Sequence, residues 1–506
     1  MIGKMLKKYA VSILVFSLLA STMGCANKVA QNDYLDTDAG YDKELFYQNL
    51  GTIQAADPQI ITVGDTFYMY ATNAEDTGNT NYICAWSSKN LTDWKHEGKV
   101  FVPARDAWAV SSLWAPEVIE VDGTYYMYYS GHNISRDYMG VGVAVSDSPT
   151  GPFHELEGEF GGKTYSRTEQ PIDPGFPIID ANPFIDDDGR VYLYVSRDQV
   201  DKQSSVFGME LDKDMVTILS VTEKPLVKPS QEWENPTAGN TWNEAPCMIK
   251  IDGKYYLTYS ANYYQNSTYS VGLAISDNPL TGFQKVDYNP VLEANPDWTH
   301  ISGTGHNCIF KSPDGTELWM AYHSHIDTTN GGSERKINFD RISFDEEGRM
   351  LVNGPSITPQ VLPSGVSEFK NIAADAKVSA SVDEYKELLT DGIINYLYQD
   401  VEVYEYMSNG KNKVTFTFEE EKTIKAVMVY DSADYVLGLE KASVKVGSKS
   451  FEMQFNPKYR YVDEYGFEVK IPGSAAILQF DEIKTNEITF TFDGEVNVNE
   501  IVILGK

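Results

Sequence analysis

The sequence has few cysteines and few basic residues for its length. Of 506 residues only 4 are Cys, and 73 Asp and Glu outnumber 41 Lys and Arg, which gives a formal net charge of −32. Such a charge argues against nucleic acid or an anionic membrane surface as a partner, because phosphates would be repelled. Apart from Cys25 near the N-terminus, the cysteines are Cys84, Cys247 and Cys308, an odd number that is scattered along the chain and set in apolar runs. They indicate buried free thiols rather than a disulfide framework.

The N-terminal segment has the composition of an export signal. Three lysines precede an apolar run and then small residues in "MIGKMLKKYAVSILVFSLLASTMGC", a stretch too short and wrongly flanked for a stable transmembrane helix. Cys25 directly after Gly24 resembles a bacterial lipoprotein signal, whose cysteine is lipidated. We expect a signal peptide over 1–24 and a lipidated, polar tether over 25–44, with ordinary cleavage as the alternative. The protein would then be an exported lipoprotein of the cell surface or periplasm that meets the membrane only through this anchor.

Helical periodicity is nearly absent, and one hairpin pattern occurs five times. The copies begin at Asp57, Ala115, Ala181, Glu244 and Gly305, as in "APEVIEVDGTYYMYYS". Each combines an apolar strand, a tight turn that contains Gly with Asp, and a second strand rich in Tyr and other large apolar residues. The spacing of about 60 residues, with a further strand pair after most copies, predicts an all-β protein with a five-bladed β-propeller over residues 45–366.

The hairpin pattern also helps to interpret two other segments, of which one lies in its third copy and the other follows its last copy. Asp186, Asp187 and Asp188 precede Gly189 at the turn of the third copy, and the alternating acidic positions of an EF-hand loop are missing, so we predict a turn. Residues 370–506 lose the repeat and show alternating strands such as "KVTFTFEEEKTIKAVMVYDS", which predicts a β-sandwich. Its "ELLTDGI" and "NEIVILGK" resemble the galactose-binding, discoidin-like jelly rolls appended to many secreted glycosidases, so we expect an accessory domain of that kind.

The propeller predicts where polar side chains meet. The innermost strand of each blade lines the central channel, so the residues just before these strands should share one end of it: Asp57, Trp114, Asp180, Glu244 and His306. Hydrolysis of a glycosidic bond needs a carboxylic acid and a carboxylate base. A third carboxylate can raise the pKa of the acid, and a Trp ring offers a flat face for a sugar.

The propeller motifs resemble the family-43 glycoside hydrolases over about residues 50–360. "ADPQII", "IDANPFIDDDG" and "NEAPCMIKIDGKYYLTYS" occur in the family's order. The resemblance implies that Asp57 is the general base and Glu244 the general acid. It also implies that Asp180 modulates the pKa of the acid and orients it.

The resemblance extends to substrate-binding positions and to an ion. "LWAPEV", "GTGHN" and "SERKINFDRISFD" imply Trp114, His306 and Arg335 as residues that bind the substrate, although Arg335 could equally be a structural ion-pair partner. Many members of the family hold a calcium or other ion in the channel near the histidine, as a structural aid. No cofactor is expected for the chemistry, no firm metal ligand set is recognised, and His306 with Cys308 is too little for zinc.

The resemblance implies inversion and a neutral plant polysaccharide or oligosaccharide as substrate: arabinan, arabinoxylan or xylan. The long segments 154–177 and 228–242 would wall off one end of the channel, which favours an exo-acting α-L-arabinofuranosidase. A β-xylosidase and an endo-1,5-α-L-arabinanase of the same family stay open. A non-catalytic sugar-binding lipoprotein is disfavoured, since a binding module does not need three carboxylates. We expect a monomer.

Overall fold

A computed structural model describes most of the chain after the predicted leader. The described residues are 40–49, 53–73, 80–160, 162–200, 203–235, 241–294, 300–394, 405–410, 413–432, 438–462 and 466–506. Cys25 and the predicted signal peptide lie outside them. Among the described residues, helical structure is limited to three short 3-10 turns, Glu232–Glu234, Ala373–Asp375 and Lys386–Leu389, and no helix of this part could span a membrane. The predicted all-β class is confirmed.

Five four-stranded antiparallel sheets follow one another along the chain, and each is a propeller blade in which sequential strands are neighbours. The first two strands of every blade form the hairpin predicted from the repeat, and the next two are its outer strands. With strands numbered in chain order, blade one comprises β2 Ala55–Val63, β3 Thr66–Asn73, β4 Ile83–Ser88 and β5 Lys95–Phe101, and blade two comprises β6 Trp114–Val121, β7 Thr124–Asn133, β8 Tyr138–Ser146 and β9 His154–Glu155. Blade three comprises β12 Ile178–Ile185, β13 Val191–Val200, β14 Gln203–Leu211 and β15 Ile218–Val221, and blade four comprises β16 Asn243–Ile251, β17 Lys254–Ala261, β18 Ser270–Ser276 and β19 Gln284–Lys285. Blade five comprises β20 Gly305–Lys311, β21 Leu318–His325, β22 Arg335–Phe344 and β23 Met350–Val352. The five-bladed propeller is therefore confirmed.

The blades are held together by apolar clusters that lie between them. Tyr70 of blade one packs with Met127 of blade two in one cluster, and corresponding clusters join blades two and three, three and four, and four and five. The fifth cluster closes the ring, because Phe67 of blade one packs with Trp319 of blade five. The large aromatic residues of the repeat thus fill the wedges between twisted sheets, and their burial stabilises the ring.

The acidic run at the third hairpin is a turn, as predicted, but its first residue also joins two blades. Asp186 accepts a backbone N–H from Asp187 and closes the turn by a bond from Gly189 N to its own carbonyl. Its buried carboxylate also accepts hydrogen bonds from Lys250 Nζ (2.5 Å) and Tyr255 Oη (2.5 Å) of blade four. This pairing accounts for the burial of one Asp in an otherwise exposed loop.

The remaining strands lie outside the blades. β1 Phe46–Tyr47 pairs with β24 Gln360–Val361, and β10 Gly158–Phe160 pairs with β11 Lys163–Tyr165. The C-terminal part contains a sheet of eight strands and a separate hairpin. These strands are β25 Lys370–Asn371, β26 Lys377–Ala380, β27 Tyr406–Met407, β28 Lys413–Asp431, β29 Lys441–Val446, β30 Lys449–Gln454, β31 Arg460–Val462, β32 Glu468–Lys470, β33 Ala475–Phe492 and β34 Asn497–Gly505.

The two longest strands give this part its sandwich form. β28 pairs with β26 and β33 along its first half, and with β33 and β34 along its second, with register shifts between. Such shifts bend strands and let one strand pass from one layer to the other. A β-sandwich after the propeller is confirmed.

The interior of the sandwich is continuous with the rim of the propeller. Its apolar cluster contains Val427 and Phe490 from the long strands, and it also contains Phe46, Ile301 and Val361 from outside the sandwich. The two parts therefore share one apolar core.

Candidate active site

Each innermost strand contains a β-bulge at the same end of the channel. The pairing register shifts there in all five blades, and one residue beside each shift adopts a left-handed backbone conformation that side-chain-bearing residues rarely occupy. These residues are Asp57 (φ 54°), Ala115 (φ 45°), Asp180 (φ 53°), Ala245 (φ 51°) and His306 (φ 49°). Backbone strain repeated at a shared position marks a functional site.

A ring of hydrogen bonds between blades holds these bulges. The backbone N–H of each left-handed residue donates to a side chain on the second strand of the preceding blade, and His323 of blade five closes the ring on blade one. The five acceptors, in blade order, are Thr72 for Ala115 (2.8 Å), Ser130 for Asp180 (3.0 Å), Ser196 for Ala245 (3.0 Å), Ser260 for His306 (2.7 Å) and His323 for Asp57 (3.2 Å). These acceptors end the repeat stretches in the sequence, so the signal for them was present but not interpreted.

The bulges also correct two expected placements. All five candidate residues lie inside the innermost strands rather than before them. Trp114 and Glu244 come one residue earlier than the left-handed positions of their blades, which are occupied by Ala115 and Ala245. An extra residue in a bulge turns neighbouring side chains in different directions, so the residues taken from before each strand are not at the same position of the bulge in all five blades.

Asp57 is a buried aspartate surrounded by cationic and polar groups. Its Oδ1 lies 2.9 Å from Arg335 Nη1 and 3.2 Å from His306 Nδ1, and its Oδ2 accepts a bond from Thr72 Oγ1 (2.6 Å). Burial by itself would raise the pKa of Asp57, but the charges of Arg335 and His306, together with His323, hold that pKa well below its usual range. This carboxylate is therefore ionised over the whole range of ordinary pH.

His323 has a structural part in this arrangement. Its Nδ1 accepts the backbone N–H of Asp57, and burial, with Arg335 nearby, lowers its pKa to about 3. The ring is consequently neutral and orients Asp57 as a hydrogen-bond acceptor. Sequence reasoning missed it because the other four blades carry a hydroxyl at this position.

Asp180 is buried in the opposite electrostatic setting. Its Oδ2 accepts bonds from Ser196 Oγ (3.2 Å) and from the backbone N–H of Ala245 (3.1 Å). Burial and the negative charge of Asp57 raise its pKa, although His306 acts the other way. Because Ala245 follows Glu244 in the chain, the same bond fixes the backbone that carries the predicted acid.

Glu244 is almost fully buried and is held by a tyrosine. Its Oε1 accepts a hydrogen bond from Tyr269 Oη at 2.9 Å, and the side chain is 9% exposed. Tyr269 was not among the predicted site residues. It lies just before the third strand of blade four, outside the hairpin pattern from which the repeat was recognised.

Two of the predicted substrate-binding residues differ in what they contact. Trp114 is half-buried at the start of β6, where a ring face can meet a ligand. Arg335 begins β22 and bonds Asp57, and its guanidinium lies 4.9 Å from the ring centroid of Tyr264. Of the two readings of Arg335, this contact supports an ion-pair partner of the base.

The residues around His306 do not form a calcium site by their side chains. Within the described residues there is no group of three or more His, Cys, Asp or Glu that could hold a metal ion. Calcium ordinarily takes 6–8 oxygen ligands, whereas His306 has the guanidinium of Arg335 sharing its carboxylate. The channel ion stays a prediction and no chemical step is assigned to it.

The three cysteines behave as predicted for buried thiols. Cys84, Cys247 and Cys308 are buried and form no disulfide bond. Cys247 and Cys308 accept backbone N–H groups from Ile309 (3.3 Å) and Ile60 (3.2 Å) of the next blade, so they belong to the contacts between blades.

One ionised carboxylate and two further buried carboxyl groups supply the base and the acid that hydrolysis of an acetal bond requires. A propeller that gathers these groups at one end of its channel is a glycoside hydrolase. The model of the glycosyl hydrolases family 43 matches residues 50–350, and the chain belongs to that family.

Individual relatives match more than half of the chain. The chain is 28% identical to the β-D-galactofuranosidase of Aspergillus niger over 58% of this chain and 81% of the relative. It is 27% identical to a xylosidase/arabinosidase of Bacteroides ovatus over 58% of this chain and 94% of the relative. A crystal structure of a thermostable family-43 glycoside hydrolase is 34% identical and covers 63% of this chain and 99% of its own, with a TM-score of 0.55.

Proposed function

We propose that the enzyme is an inverting, exo-acting α-L-arabinofuranosidase of plant cell-wall polysaccharide. The observation that carries the mechanism is the environment of Asp57, whose ion pair with Arg335 at 2.9 Å keeps it charged. A charged, buried carboxylate with one oxygen pinned by Thr72 is a base that can accept a proton from water.

Glu244 is the general acid in this proposal. It protonates the glycosidic oxygen while Asp57 takes a proton from the water that attacks the anomeric carbon from the opposite face. The bond to the leaving sugar breaks as the bond to water forms, so the anomeric configuration inverts. Asp180 keeps Glu244 protonated by its negative charge and fixes its backbone through Ala245 N.

Inversion carries a geometric expectation. A water must fit between the base and the acid, which requires about 6.5–9.5 Å between their carboxyl groups, against about 5–5.5 Å in a retaining enzyme. Asp57 and Glu244 belong to blades one and four, which are not neighbours in the ring, whereas Asp180 and Glu244 belong to adjacent blades. The anomer first released, followed by proton NMR, tests this: a retained configuration would contradict the role of Asp57.

Aromatic side chains on the rim of blade four support a closed sugar subsite. Trp242 directly precedes β16, and its ring centroid lies 4.9 Å from that of Tyr263. The ring centroid of Tyr263 in turn lies 4.9 Å from that of Tyr264. Arg335 lies over Tyr264, so this wall connects to the base. A wall at one end of the channel favours release of single sugars over cleavage within a chain.

The substrate class rests on the family and on the relatives named above, which include a xylosidase/arabinosidase. That relative favours β-xylosidase action as the second candidate. A panel of nitrophenyl α-L-arabinofuranoside, β-D-xyloside and β-D-galactofuranoside, with linear and branched arabinan, distinguishes the activities. Arabinose as the first product supports the proposal, xylose from the xyloside supports the second candidate, and oligosaccharides from linear arabinan indicate endo action.

We also propose that the enzyme is exported and lipidated at Cys25. The proposal rests on the leader, in which a lysine-rich start and an apolar run precede Gly24 and Cys25. Expression of the full chain in a bacterial host should place activity in the membrane fraction, and Cys25→Ser should release it. Activity that stays soluble for both forms would contradict lipidation.

A further inference from the structure

Tyr269 is a buried residue that contacts both Glu244 and His323 of the candidate site. Its hydroxyl donates to Glu244 Oε1 at 2.9 Å, and its ring stacks on the ring of His323 with centroids 5.6 Å apart and an interplanar angle of 11°. His323 in turn accepts the backbone N–H of Asp57. Tyr269 thus contacts Glu244, the proposed acid, and also His323, the residue that orients the proposed base.

The backbone beside Tyr269 is shaped to admit its ring. A Cβ placed on Gly305 would lie 2.2 Å from Cε1 of Tyr269, a distance that no side chain could occupy. Gly305 directly precedes His306 in the bulge of blade five. Glycine at this position therefore permits the close approach of the tyrosine ring to the strand that bears His306.

The Tyr269 hydroxyl is the donor in its hydrogen bond to Glu244, and Oε1 of the carboxyl group is the acceptor. Ser260 is a second hydrogen-bond partner of the Tyr269 side chain. Because Ser260 Oγ also accepts the backbone N–H of His306, the tyrosine is linked to the bulge of blade five as well as to Glu244.

We propose that Tyr269 is a positioning residue that fixes which oxygen of Glu244 carries the transferable proton. Oε1 is occupied as an acceptor, so the acidic proton resides on Oε2. When Oε2 gives its proton to the glycosidic oxygen, the carboxylate that remains keeps its bond from Tyr269, and a hydrogen bond to a charged acceptor is stronger than one to a neutral acceptor. The inference rests on the proposed role of Glu244 as general acid.

Several charged groups face this pair and must be counted in any pH effect. Asp57 of β2 and Asp180 of β12 act on Tyr269 directly, and His306 of β20, His323 of β21 and Arg335 of β22 act through their contacts with Asp57. Tyr269→Phe replaces the hydroxyl with a hydrogen atom and changes no charge. A change in the pH profile can then be assigned to the lost hydrogen bond.

The experiment compares Tyr269→Phe with Tyr259→Phe as a matched control. Tyr259 is also a buried tyrosine of blade four, and its hydroxyl is 3.4 Å from Asn289 Nδ2, away from the three carboxylates. For Tyr269→Phe we expect kcat on an arabino-oligosaccharide to fall about tenfold with KM unchanged. The alkaline limb of the kcat/KM profile should rise by about one pH unit, because the carboxylate form of the acid loses a donor. Tyr259→Phe should leave both unchanged.

Leaving-group dependence gives the second readout. An aryl arabinoside with an acidic phenol hardly needs protonation, so Tyr269→Phe should approach the wild-type rate on it while staying slow on the oligosaccharide. Ser260→Ala, which removes the second hydrogen-bond partner of the Tyr269 side chain, should give the same signature in weaker form if Tyr269→Phe proves unstable. Equal loss on both substrates with an unmoved alkaline limb would overturn the inference. Full oligosaccharide activity in Glu244→Gln would instead overturn the proposed acid, whatever Tyr269→Phe does.

Discussion

The axis of the propeller and the apolar cluster of the sandwich bury very different side chains. Along the propeller axis the buried residues include Asp57, Asp180 and Glu244, whose carboxyl groups accept hydrogen bonds from their own or a neighbouring blade. The sandwich instead buries a continuous apolar cluster and extends it to Phe46 and Val361. The difference indicates a division of work, in which the ring positions charges for chemistry and the sandwich contributes burial that stabilises the ring's edge.

The physical basis of this division is the cost of each kind of burial. A charge in a low-dielectric interior stabilises a fold only when it is fully paired, and its pairing partners then become indispensable. Apolar burial is non-directional and tolerates variation. Substitutions on the axis should therefore change rate with little effect on stability, and substitutions at the shared core should do the reverse.

The largest effect is expected on the axis, from Asp57→Asn and Glu244→Gln. Each residue has its own proton to move and no substitute nearby, so turnover of arabino-oligosaccharides should fall by about 10³–10⁴-fold. The melting temperature should stay close to that of the native protein. Steady-state rates and thermal denaturation measure both. Near-native turnover by Asp57→Asn would refute its assignment as base, whereas Glu244 must be tested on substrates with poor leaving groups.

The matching test of the shared core is Phe46→Ala. Phe46 is 3% exposed and packs in the cluster of the sandwich, so its loss should lower the free energy of unfolding by about 3–5 kcal/mol. The kcat should be unchanged at temperatures where the protein is folded. Urea denaturation followed by intrinsic fluorescence gives the first quantity. A loss of kcat without a loss of stability would contradict the division between the two regions.

The sequence predicted the blades because each hairpin has a local signal. An Asp-Gly or Gly-Asp turn between an apolar strand and a Tyr-rich strand needs no tertiary information, and five copies imply a ring that brings Asp57, Asp180 and Glu244 together. The offset of Trp114 and Glu244 was not predictable in the same way. It depends on a left-handed residue inside a strand, and alanine, which occupies positions 115 and 245, has no preference for that conformation.

Contacts that close over long distances were also beyond the local pattern. Arg335 lies 278 residues from Asp57, and its two readings could be separated only by the fold. The shared core is a further example, because Phe46 and Val361 belong to segments that show no repeat. Both cases depend on how the ends of a ring meet, which no window of sequence contains.

A smaller effect with a defined pH dependence is expected for Arg335→Gln. The charge of Arg335 is the largest influence that lowers the pKa of Asp57 against its burial. Without it that pKa rises, so the base becomes protonated at a higher pH and the acidic limb of the kcat/KM profile moves upward. Activity should therefore fall more at the acidic end of the profile than at pH 7. An unmoved acidic limb would show that Arg335 does not set the charge of the base.

The smallest effect is expected at a polar contact between the two regions, from Tyr430→Phe. Tyr430 Oη of the sandwich donates to Gln360 Oε1 at 2.7 Å, and Gln360 Nε2 donates to the carbonyl of Gly473 at 3.1 Å. Removing the hydroxyl leaves a buried amide oxygen without this donor, which costs about 1–3 kcal/mol. In a folded unit of this size that corresponds to a fall of about 1–3 °C in the melting temperature. Because the contact is buried between the parts and remote from the bulges, kcat and the KM for a small aryl arabinoside should not change. The informative case is the KM for polymeric arabinan: an unchanged value agrees with a sandwich that only supports the ring, whereas a raised KM for the polymer alone would mean that the orientation of the sandwich affects how a chain reaches the channel.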